Sequence, residues 1–529
     1  MAAGTLLGRA VDLHQKGALD QALSLYRRVL AVDPAQPDAL HLLGMVRRRQ
    51  GALAEGVAMM ARALVCDPSL SAAHFNLSAA LQEQGRLDQA ARHLRRQLVC
   101  DPERGQGLGR LGVDRLARGH LEEAQSLLRR ALQITPDDTR LRLAAERCAI
   151  AQAIRADADD PSLPPGLVVR GVFRDSSGYA YKVRQFVRHL VEAGVRVRLV
   201  DLNYGPNDDL SDDQLDPLFR SLDRPVRAKA VLSFTTPPMV ERIPGLKTIN
   251  YSVFEGVRIP PLWAAHSHRH DHVVVATASS RDAWLQAGHP PERIHLCPEG
   301  VAAVPATSVV PSEIVDAAGR RLSDYPIRLL NVSDLNGRKN LTGLLRVWMR
   351  ATRPDDPAAL LLKIGKGSGI ARDFRALLAE VMRDTGLRLD GAAPVFLVEG
   401  KLSDAAMLRL YAAATHYWSM SHGEGWDLAA AQAGAMGCTV LAPRHSAYCA
   451  YLSDDTAHLI PSTIAPAFGD YAGMDWWTPD EDAAAALLRA VIVDPLGTRR
   501  SAQQHLLDHV SWSKATERLM VLLAEHGAL

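Results

Sequence analysis

The chain has 529 residues, of which 47% are apolar and 23% are charged, the composition of a folded globular protein with several hydrophobic cores. At roughly 150 residues per domain, this length predicts three or four domains. The 61 basic and 59 acidic residues nearly cancel to a net charge of +2. This balance excludes the broad positive field of proteins that collect nucleic acid, so no nucleic-acid partner is expected.

Targeting and membrane signals are the next features to exclude. No apolar run reaches the roughly 18 residues of a spanning helix, so no transmembrane segment is predicted. The first residues show neither the basic region nor the cleavage site of a signal peptide. The six cysteines are scattered without Cys-x-x-Cys pairs, which argues against a disulfide framework and a zinc site. Together these features predict a cytoplasmic protein.

The first 136 residues repeat with a period of 34. Four glycines and four prolines recur at this interval: Gly17, Gly51, Gly85 and Gly119, and Pro34, Pro68, Pro102 and Pro136. Each Gly follows an apolar-periodic stretch and fits the left-handed end of a helix, whereas each Pro ends a second helix. A small residue in each unit, at positions 22, 56, 90 and 124, allows the two helices to pack closely. The pattern resembles the tetratricopeptide repeat (TPR), a helix–turn–helix unit.

This resemblance implies an all-α TPR solenoid of four repeats over 1–136, with a capping helix over 137–155. Such arrays commonly bind extended peptides in a concave groove lined by the first helix of each repeat. The candidate groove residues are His41, Asn76 and Arg110. The alternative is that the repeats form a homodimer or only support the rest of the chain.

The remainder of the sequence has the pattern of parallel α/β sheets. An acidic and then Pro-rich segment at 156–166 interrupts the helical periodicity and predicts a linker. Beyond it, two successive series of short β-branched runs alternate with amphipathic helices. We therefore predict two Rossmann-like lobes, at 167–310 and 311–504, with ligands bound in a cleft at the carboxyl ends of their strands.

The strongest chemical signal is the segment SHGEGWDLAAAQAGAMGCTVLAP at 421–443. It predicts a strand, then the Gly-flanked Glu424 at the start of a helix of small residues, with Gln432 eight positions further on. Small residues allow a bulky ligand to lie against the helix, and its first amides can donate to a diphosphate. The segment resembles the retaining glycosyltransferases of family 4, which have the two-lobed GT-B fold and a motif of two Glu residues eight apart.

Flanking segments extend this resemblance over about residues 167–529. They are INYSVFEGV at 249–257, HPPERIHLCPEGV at 289–301 and NGRKN at 336–340. The resemblance also implies that the last helix, over 505–529, returns to the first lobe. That lobe is then the acceptor side, and the second lobe binds the nucleotide-sugar donor.

The resemblance assigns roles around the Glu motif. Glu424 matches the first motif Glu and is expected to contact hydroxyls of the donor sugar. Gln432 replaces the second Glu, which in the family holds the nucleotide ribose; an amide keeps the hydrogen bonds without their charge. The predicted donor site is completed by His422, Gly423, Gly425 and Trp426.

The resemblance also implies a diphosphate site. Arg338 and Lys339 match the family's basic segment, whose charges neutralise the donor diphosphate. Asp334 stands where the family has an Arg, so one phosphate-facing cation is missing. Lys363 or Lys366 is the candidate that compensates, because flexible ammonium groups suit a diphosphate and the chain has only nine Lys.

The acceptor side is predicted from the loop after the first strand, RDSSGYA at 174–180, which lacks a GxGxxG fingerprint. Ser177, Gly178 and Tyr179 are the expected acceptor loop. Glu255 and Asp175 are candidates for orienting the acceptor hydroxyl, with a cap or loop hydrogen bond as the alternative for each. The predicted catalytic set is Glu424, Lys339, Glu255 and Asp175.

The resemblance implies a metal-independent transferase that retains the anomeric configuration and uses a nucleotide-sugar donor. No metal and no cofactor are expected. His266 and His270 have metal-site spacing, but no carboxylate or Cys pattern completes a site. The repeats favour a protein or peptide acceptor. The alternatives are a lipid-linked or surface polysaccharide acceptor, or a catalytically silent TPR scaffold.

Overall fold

The computed structural model describes residues 3–202, 210, 215–304, 308–316, 318–365 and 369–529. Within these ranges, nine helices precede two six-stranded parallel sheets, each with helices around it. The predicted order of a helical solenoid followed by two Rossmann-like lobes is therefore confirmed. None of the described helices combines the length and apolarity that crossing a bilayer requires.

The solenoid consists of four helix pairs and a longer ninth helix. These are α1 (Ala3–Gln15), α2 (Leu19–Val32), α3 (Pro37–Arg49), α4 (Leu53–Cys66), α5 (Ser71–Glu83), α6 (Leu87–Cys100), α7 (Gly105–Ala117), α8 (Leu121–Ile134) and α9 (Thr139–Asp159). The four repeating glycines lie in the turns inside the pairs with φ of +78°, +82°, +71° and +81°, which explains why other residues are disfavoured there. Each pair also packs closely, and a Cβ on Gly56 would lie 2.8 Å from the carbonyl oxygen of Gly44.

The first lobe is built on six parallel strands in the order β2-β1-β3-β4-β5-β6. The strands are β1 (Pro165–Gly171), β2 (Val197–Asp201), β3 (Arg227–Phe234), β4 (Lys247–Ser252), β5 (His272–Val275) and β6 (Ile294–Leu296). Its helices are α10 (Gly178–Glu192), α11 (Pro217–Arg220), α12 (Pro261–Ser267) and α13 (Ala278–Leu285). The strand order reverses between β1 and β3, where open α/β sheets bind ligands.

The second lobe has six parallel strands in the order β12-β11-β10-β7-β8-β9. The strands are β7 (Ile327–Ser333), β8 (Ala358–Ile364), β9 (Val395–Glu399), β10 (His416–Trp418), β11 (Thr439–Pro443) and β12 (His458–Ile460). An antiparallel pair, β13 (Ser462–Pro466) and β14 (Asp475–Pro479), follows. The helices are α14 (Leu341–Ala351), α15 (Ile370–Thr385), α16 (Asp404–Ala413), α17 (Leu428–Ala435), α18 (Tyr448–Tyr451), α19 (Glu481–Val493), α20 (Gln503–His509) and α21 (Trp512–Glu525). Here the switch point falls between β7 and β10.

The chain crosses back to the first lobe at its end, but later than residue 505. Leu506 of α20 still packs on the second lobe, against Gly434 of α17. The Trp512 ring of α21 instead packs edge-on against Tyr181 and Phe186 of α10. Only α21 therefore belongs physically with the first lobe.

The solenoid and the first lobe share one hydrophobic core. Leu128 of α8 and Ile154 of α9 are buried in the same cluster as Val168 of β1 and Val231 of β3. Glu241 is buried at this junction between Arg147 of α9 and Arg170 of β1. The repeats are thus packed against the lobe as an integral part of it.

The boundary between repeats and lobe differs from the predicted linker. Helix α9 continues to Asp159, four residues beyond the predicted capping helix, and β1 already begins at Pro165. The connecting segment is therefore limited to residues 160–164. The acidic residues at 156–160 suggested a solvated linker, but the Asp157 carboxylate pairs with Arg198 of β2.

Candidate active site

A cavity of about 390 Å³ lies where the switch points of the two lobes face each other. The second lobe contributes the segments that follow β7 and β10, which carry Arg338, Lys339 and Glu424. The first lobe contributes the start of α10 and the segment after β4, which ends in Glu255. This volume falls within the range of small-molecule sites.

Two asparagines shape the loop after β7. The Asn336 side chain accepts a hydrogen bond from the Lys339 amide at 3.1 Å, which closes a short helical turn. Asn340 follows with φ of +51° and caps α14 by accepting from Gly343 N at 3.0 Å. Its Nδ2 donates to the Met420 carbonyl at 2.9 Å, which ties the loop to the end of β10. Arg338 and Lys339 are thereby held over the cavity.

The two cations converge on Glu424. Lys339 Nζ lies 2.6 Å from Glu424 Oε1, and Arg338 Nη1 lies 2.8 Å from Oε2. Arg338 Nη1 also donates to the Gly423 carbonyl at 2.6 Å, and its Nη2 is 3.8 Å from Glu255 Oε1. The structure therefore brings together the residues that were predicted from segments 85 positions apart.

The charges of this cluster determine its protonation. Burial alone would raise the pKa of Glu424, but the positive charges of Arg338 and Lys339 outweigh it and lower the pKa to about 2. Burial would likewise lower the pKa of Arg338, and Glu424 and Glu255 hold it above its ordinary value. Glu424 is thus a carboxylate at neutral pH, and this one buried carboxylate is shared by two basic side chains.

Gly423 and Gly425 allow the lobes to touch. A Cβ on Gly423 would lie 1.8 Å from the carbonyl oxygen of Glu255, and one on Gly425 would lie 2.7 Å from the Val253 Cβ. Both contacts join the loop after β10 to the end of β4 in the other lobe. The absence of side chains at these two glycines therefore lets the two lobes approach each other, and it also leaves the backbone amides accessible to a ligand.

Gln432 also bridges the lobes. Its Oε1 accepts from the Ala302 amide at 2.8 Å, and its Nε2 donates to the Ala302 carbonyl at 3.1 Å. The side chain lines the cavity while it holds the first-lobe segment after CPEGV. The side-chain amide therefore both donates to and accepts from the Ala302 backbone. A carboxylate could only accept.

Other predicted donor residues occupy different positions. Gly425 and Trp426 line the cavity, and so does Lys363, whose Nζ donates to the Gly365 carbonyl at 3.0 Å. His422 instead stacks on Trp476 behind the loop, with ring centroids 4.3 Å apart, and its Nδ1 lies 2.8 Å from the Trp477 carbonyl. Lys366 lies outside the described residues, so its predicted role stays a prediction.

The predicted acceptor loop lines the cavity from the first lobe through Ser177, Gly178 and Tyr179. Ser177 Oγ also caps α10 by accepting from Ala180 N at 3.1 Å. Asp175 is outside the lining, and its carboxylate accepts from the Ser177 amide at 2.7 Å, the loop hydrogen bond that was the alternative for this residue. Glu255 does line the cavity, and the Tyr471 hydroxyl donates to it at 3.3 Å.

Sequence reasoning missed a buried ion pair in the same wall. Lys182 Nζ of α10 lies 3.2 Å from Glu299 Oε1, and the side chains are 2% and 3% exposed. Burial raises the pKa of Glu299 even beside the ammonium group. The signal that could have indicated Lys182 is its rarity, since it is one of nine Lys in an Arg-rich chain. Glu299 stands inside the CPEGV segment that supported the resemblance.

Asp427 is a second missed residue. It directly precedes α17 with φ of +55° and caps the helix by accepting from Ala430 N at 3.2 Å. The Tyr448 hydroxyl donates to the other carboxylate oxygen at 2.7 Å, and burial raises the pKa of the carboxyl. A non-Gly residue in this conformation stores strain of about 1–3 kcal/mol, a feature that concentrates at functional sites.

The predicted groove residues of the repeats lie on the first helices of successive pairs. Asn76 Nδ2 of α5 donates to His41 Nε2 of α3 at 2.9 Å. Burial, the largest influence, lowers the pKa of His41 to about 4, so its ring is neutral and able to accept. The Arg110 guanidinium of α7 stacks on the Phe75 ring at 4.3 Å. Asn76 and His41 are thus joined across successive repeats, and Arg110 packs on the residue that precedes Asn76.

No protein-family profile and no curated protein sequence matches the chain. Among solved structures, it is similar to HepE of Anabaena in complex with UDP-glucose, with 12% identity, a TM-score of 0.50, and coverage of 68% of this chain and 99% of that one. It is also similar to a sucrose-phosphate synthase from Thermosynechococcus elongatus (16% identity, TM-score 0.49, 69% and 99% covered). An O-GlcNAc transferase mutant from Thermobaculum terrenum matches over 99% of this chain and 96% of its own, with 15% identity and a TM-score of 0.38. At these identities the likeness to HepE shows only the fold of the part that it covers, which is GT-B, and the TPR solenoid is shown by its own helix pairs.

Proposed function

We propose that this chain is a cytoplasmic glycosyltransferase that moves a sugar from a nucleotide-sugar donor to a protein acceptor. The observation that carries the proposal is the cluster of Arg338, Lys339 and Glu424 at the β7/β10 switch point, facing a first-lobe wall across a cavity. Two cations and one carboxylate are the groups that a diphosphate and sugar hydroxyls require.

The donor diphosphate replaces part of the Glu424 interaction in this proposal. Arg338 and Lys339 turn toward the phosphate oxygens, while the freed Glu424 oxygens accept hydrogen bonds from hydroxyls of the sugar. The amides that begin α17 add fixed donors without a reorganisation cost. Gln432 keeps the Ala302 segment against the nucleotide side of the cavity.

Transfer is proposed to be metal-independent and to retain the anomeric configuration. The acceptor oxygen forms the new bond to the anomeric carbon, and the bond from that carbon to the diphosphate breaks. The acceptor proton passes to the departing phosphate oxygen. Lys339 and Arg338 stabilise the charge that develops on the leaving diphosphate, which is the largest catalytic contribution expected from this site. Glu255, held by Tyr471, is proposed to orient the acceptor hydroxyl.

A protein acceptor is supported by the TPR solenoid and its predicted groove residues. At these predicted groove positions the Arg110 guanidinium stacks on Phe75, and the neighbouring Asn76 pairs with His41 of the preceding repeat. The shared core between repeats and first lobe fixes the groove relative to the cavity, so a peptide bound in one is presented to the other in a constant geometry.

The first test is a thermal-shift screen of the full-length protein against UDP-, GDP-, ADP- and CMP-sugars. A donor present at 100 times its Kd stabilises the folded state by about 2.7 kcal/mol, a readily measured shift. The stabilising donor is then incubated with candidate acceptor proteins. We expect a mass increase of one sugar on an acceptor, and the absence of any such increment would contradict the protein acceptor.

A catalytically silent scaffold is the second candidate. It is favoured by the two ion pairs of Glu424 with Arg338 and Lys339, with which a donor diphosphate would have to compete. Retention of partner proteins by the repeats, together with no stabilisation by any nucleotide sugar, would support it over the enzyme.

A further inference from the structure

Three histidines from separate elements meet on the first lobe, away from the cavity. His272 begins β5, His295 lies in β6, and His526 follows the last turn of α21. His272 is at the amino-terminal end of its strand, whereas the cavity lies at the carboxyl ends of the sheet. The cluster is therefore independent of the proposed donor site.

The geometry of the three rings is compact. His272 Nδ1 lies 3.0 Å from His295 Nε2, and one ligand nitrogen from each of the three rings lies within 4.8 Å of the others. The His526 ring is 3.9 Å from the His272 ring and 4.5 Å from the His295 ring, measured between centroids. In a tetrahedral zinc site with bonds of 2.0–2.1 Å, ligand nitrogens are about 3.3 Å apart. Rotation of the imidazole rings about their side-chain bonds can bring the three nitrogens from within 4.8 Å of one another to the spacing of a zinc site.

The surroundings admit a cation. The carboxylates of Asp271 and Glu525 lie close enough to act electrostatically on His272 and His295, respectively. The positive charges that oppose them are Lys247, which donates to the His526 carbonyl, and Arg281 and Arg518, which line the cavity beside His295. An open cavity of about 610 Å³ adjoins His295 and Glu525 and offers a path from solvent.

We propose that His272, His295 and His526 bind one divalent transition-metal ion, for which Zn²⁺ is the best match. Three neutral imidazoles are a ligand set that suits zinc and its neighbours rather than Mg²⁺ or Ca²⁺, which take oxygen ligands. The fourth position is open to water. The ion joins the end of α21 to β5 and β6, so it fastens the crossing helix to the first lobe.

The test uses the full-length protein after removal of metals by a chelator. Titration with Zn²⁺ alone, followed by calorimetry, is expected to show one equivalent bound and a raised thermal unfolding midpoint. Co²⁺ in place of Zn²⁺ is expected to give the intense visible absorption of a four-coordinate site. His526→Ala and His272→Ala are each expected to weaken Zn²⁺ binding at least tenfold.

His268→Ala is the matched control, because His268 also stacks on a second histidine, His289, at 5.1 Å between centroids. It belongs to no group of three ligating side chains within the described residues. Its Zn²⁺ affinity should equal that of the unsubstituted protein. If His272→Ala does not fold, His526→Ala decides, since His526 lies beyond the last helix. The proposal is overturned if the unsubstituted protein binds no Zn²⁺, or if His526→Ala binds it equally well.

Discussion

At the scale of single residues, Glu424 sets the charge of the cavity. Its carboxylate pairs with both Arg338 and Lys339, and its low pKa keeps it ionised throughout the neutral range. In the proposed mechanism the same carboxylate holds the donor sugar once the diphosphate has taken over the cations. Removing its charge should therefore separate donor-phosphate binding from sugar transfer.

Glu424→Gln is expected to lower the transfer rate at least 100-fold, because the amide holds sugar hydroxyls without charge assistance. Binding of the nucleoside diphosphate should be retained or tightened, since the two cations no longer face a competing carboxylate. Steady-state kinetics and titration calorimetry measure the two effects. Glu481→Gln is the matched control, because Glu481 pairs with Arg346 outside the cavity lining. Parallel losses of transfer and diphosphate binding would count against the assigned role.

At the scale of elements, the two lobes contact each other where the loop after β10 packs against the end of β4. Gly423→Ala places a methyl group on the carbonyl oxygen of Glu255, which is backbone and cannot rotate away. We expect the loop to shift, at a stability cost of about 1–3 kcal/mol, and donor affinity to fall at least tenfold. Gly391→Ala is the control, since a Cβ there meets nothing within 4 Å. Unchanged donor affinity in Gly423→Ala would show that the contact is not needed.

The junction of α9 with β1 gives a second prediction at this scale. Glu241→Gln leaves the Arg170 charge, which is 1% exposed, without a full counter-charge. Breaking a buried pair in this way costs about 3–5 kcal/mol, and denaturant unfolding measures it. Glu55→Gln removes a charge from an exposed pair with Arg47 and should change the unfolding free energy by less than about 1 kcal/mol. If the two substitutions lower the free energy of unfolding equally, the buried pair at the junction stabilises the protein no more than an exposed pair does.

At the scale of the whole molecule, the repeats and the first lobe share one hydrophobic core, so we expect them to fold together. A chain lacking residues 1–159 would expose the apolar residues of β1 and β3 that α8 and α9 cover, so we expect it to aggregate. A chain lacking only 1–34, the first repeat, loses helices that pack within the solenoid and should remain folded. Size-exclusion chromatography and thermal unfolding distinguish the two. A monomeric, stable lobe pair without its repeats would contradict the shared core.

The sequence predicts local features of the fold and site better than features that arise from packing between elements. Regular spacing revealed the repeats, and one motif placed Glu424 near Lys339, because short-range periodicity and local segments are visible along a chain. The shared core, the Lys182–Glu299 pair and the His272, His295 and His526 cluster were not predicted. Their members lie on separate elements, and only the packing of α9, α10 and α21 brings them together. The loop position of Asp175 predicts a role in orienting the acceptor hydroxyl. Its carboxylate instead accepts a hydrogen bond from the Ser177 amide within the loop.

The most direct test of the central claim is the affinity of the cavity for the nucleoside diphosphate of the stabilising donor, measured by titration calorimetry. A charge-assisted hydrogen bond contributes about 1.5–3 kcal/mol, so Lys339→Ala should weaken binding by roughly 10- to 150-fold. Lys514→Ala, which removes an exposed ammonium group from α21, should bind like the unsubstituted protein. Failure of the unsubstituted protein to bind any nucleoside diphosphate, or equal affinity in Lys339→Ala, would contradict the donor site proposed here.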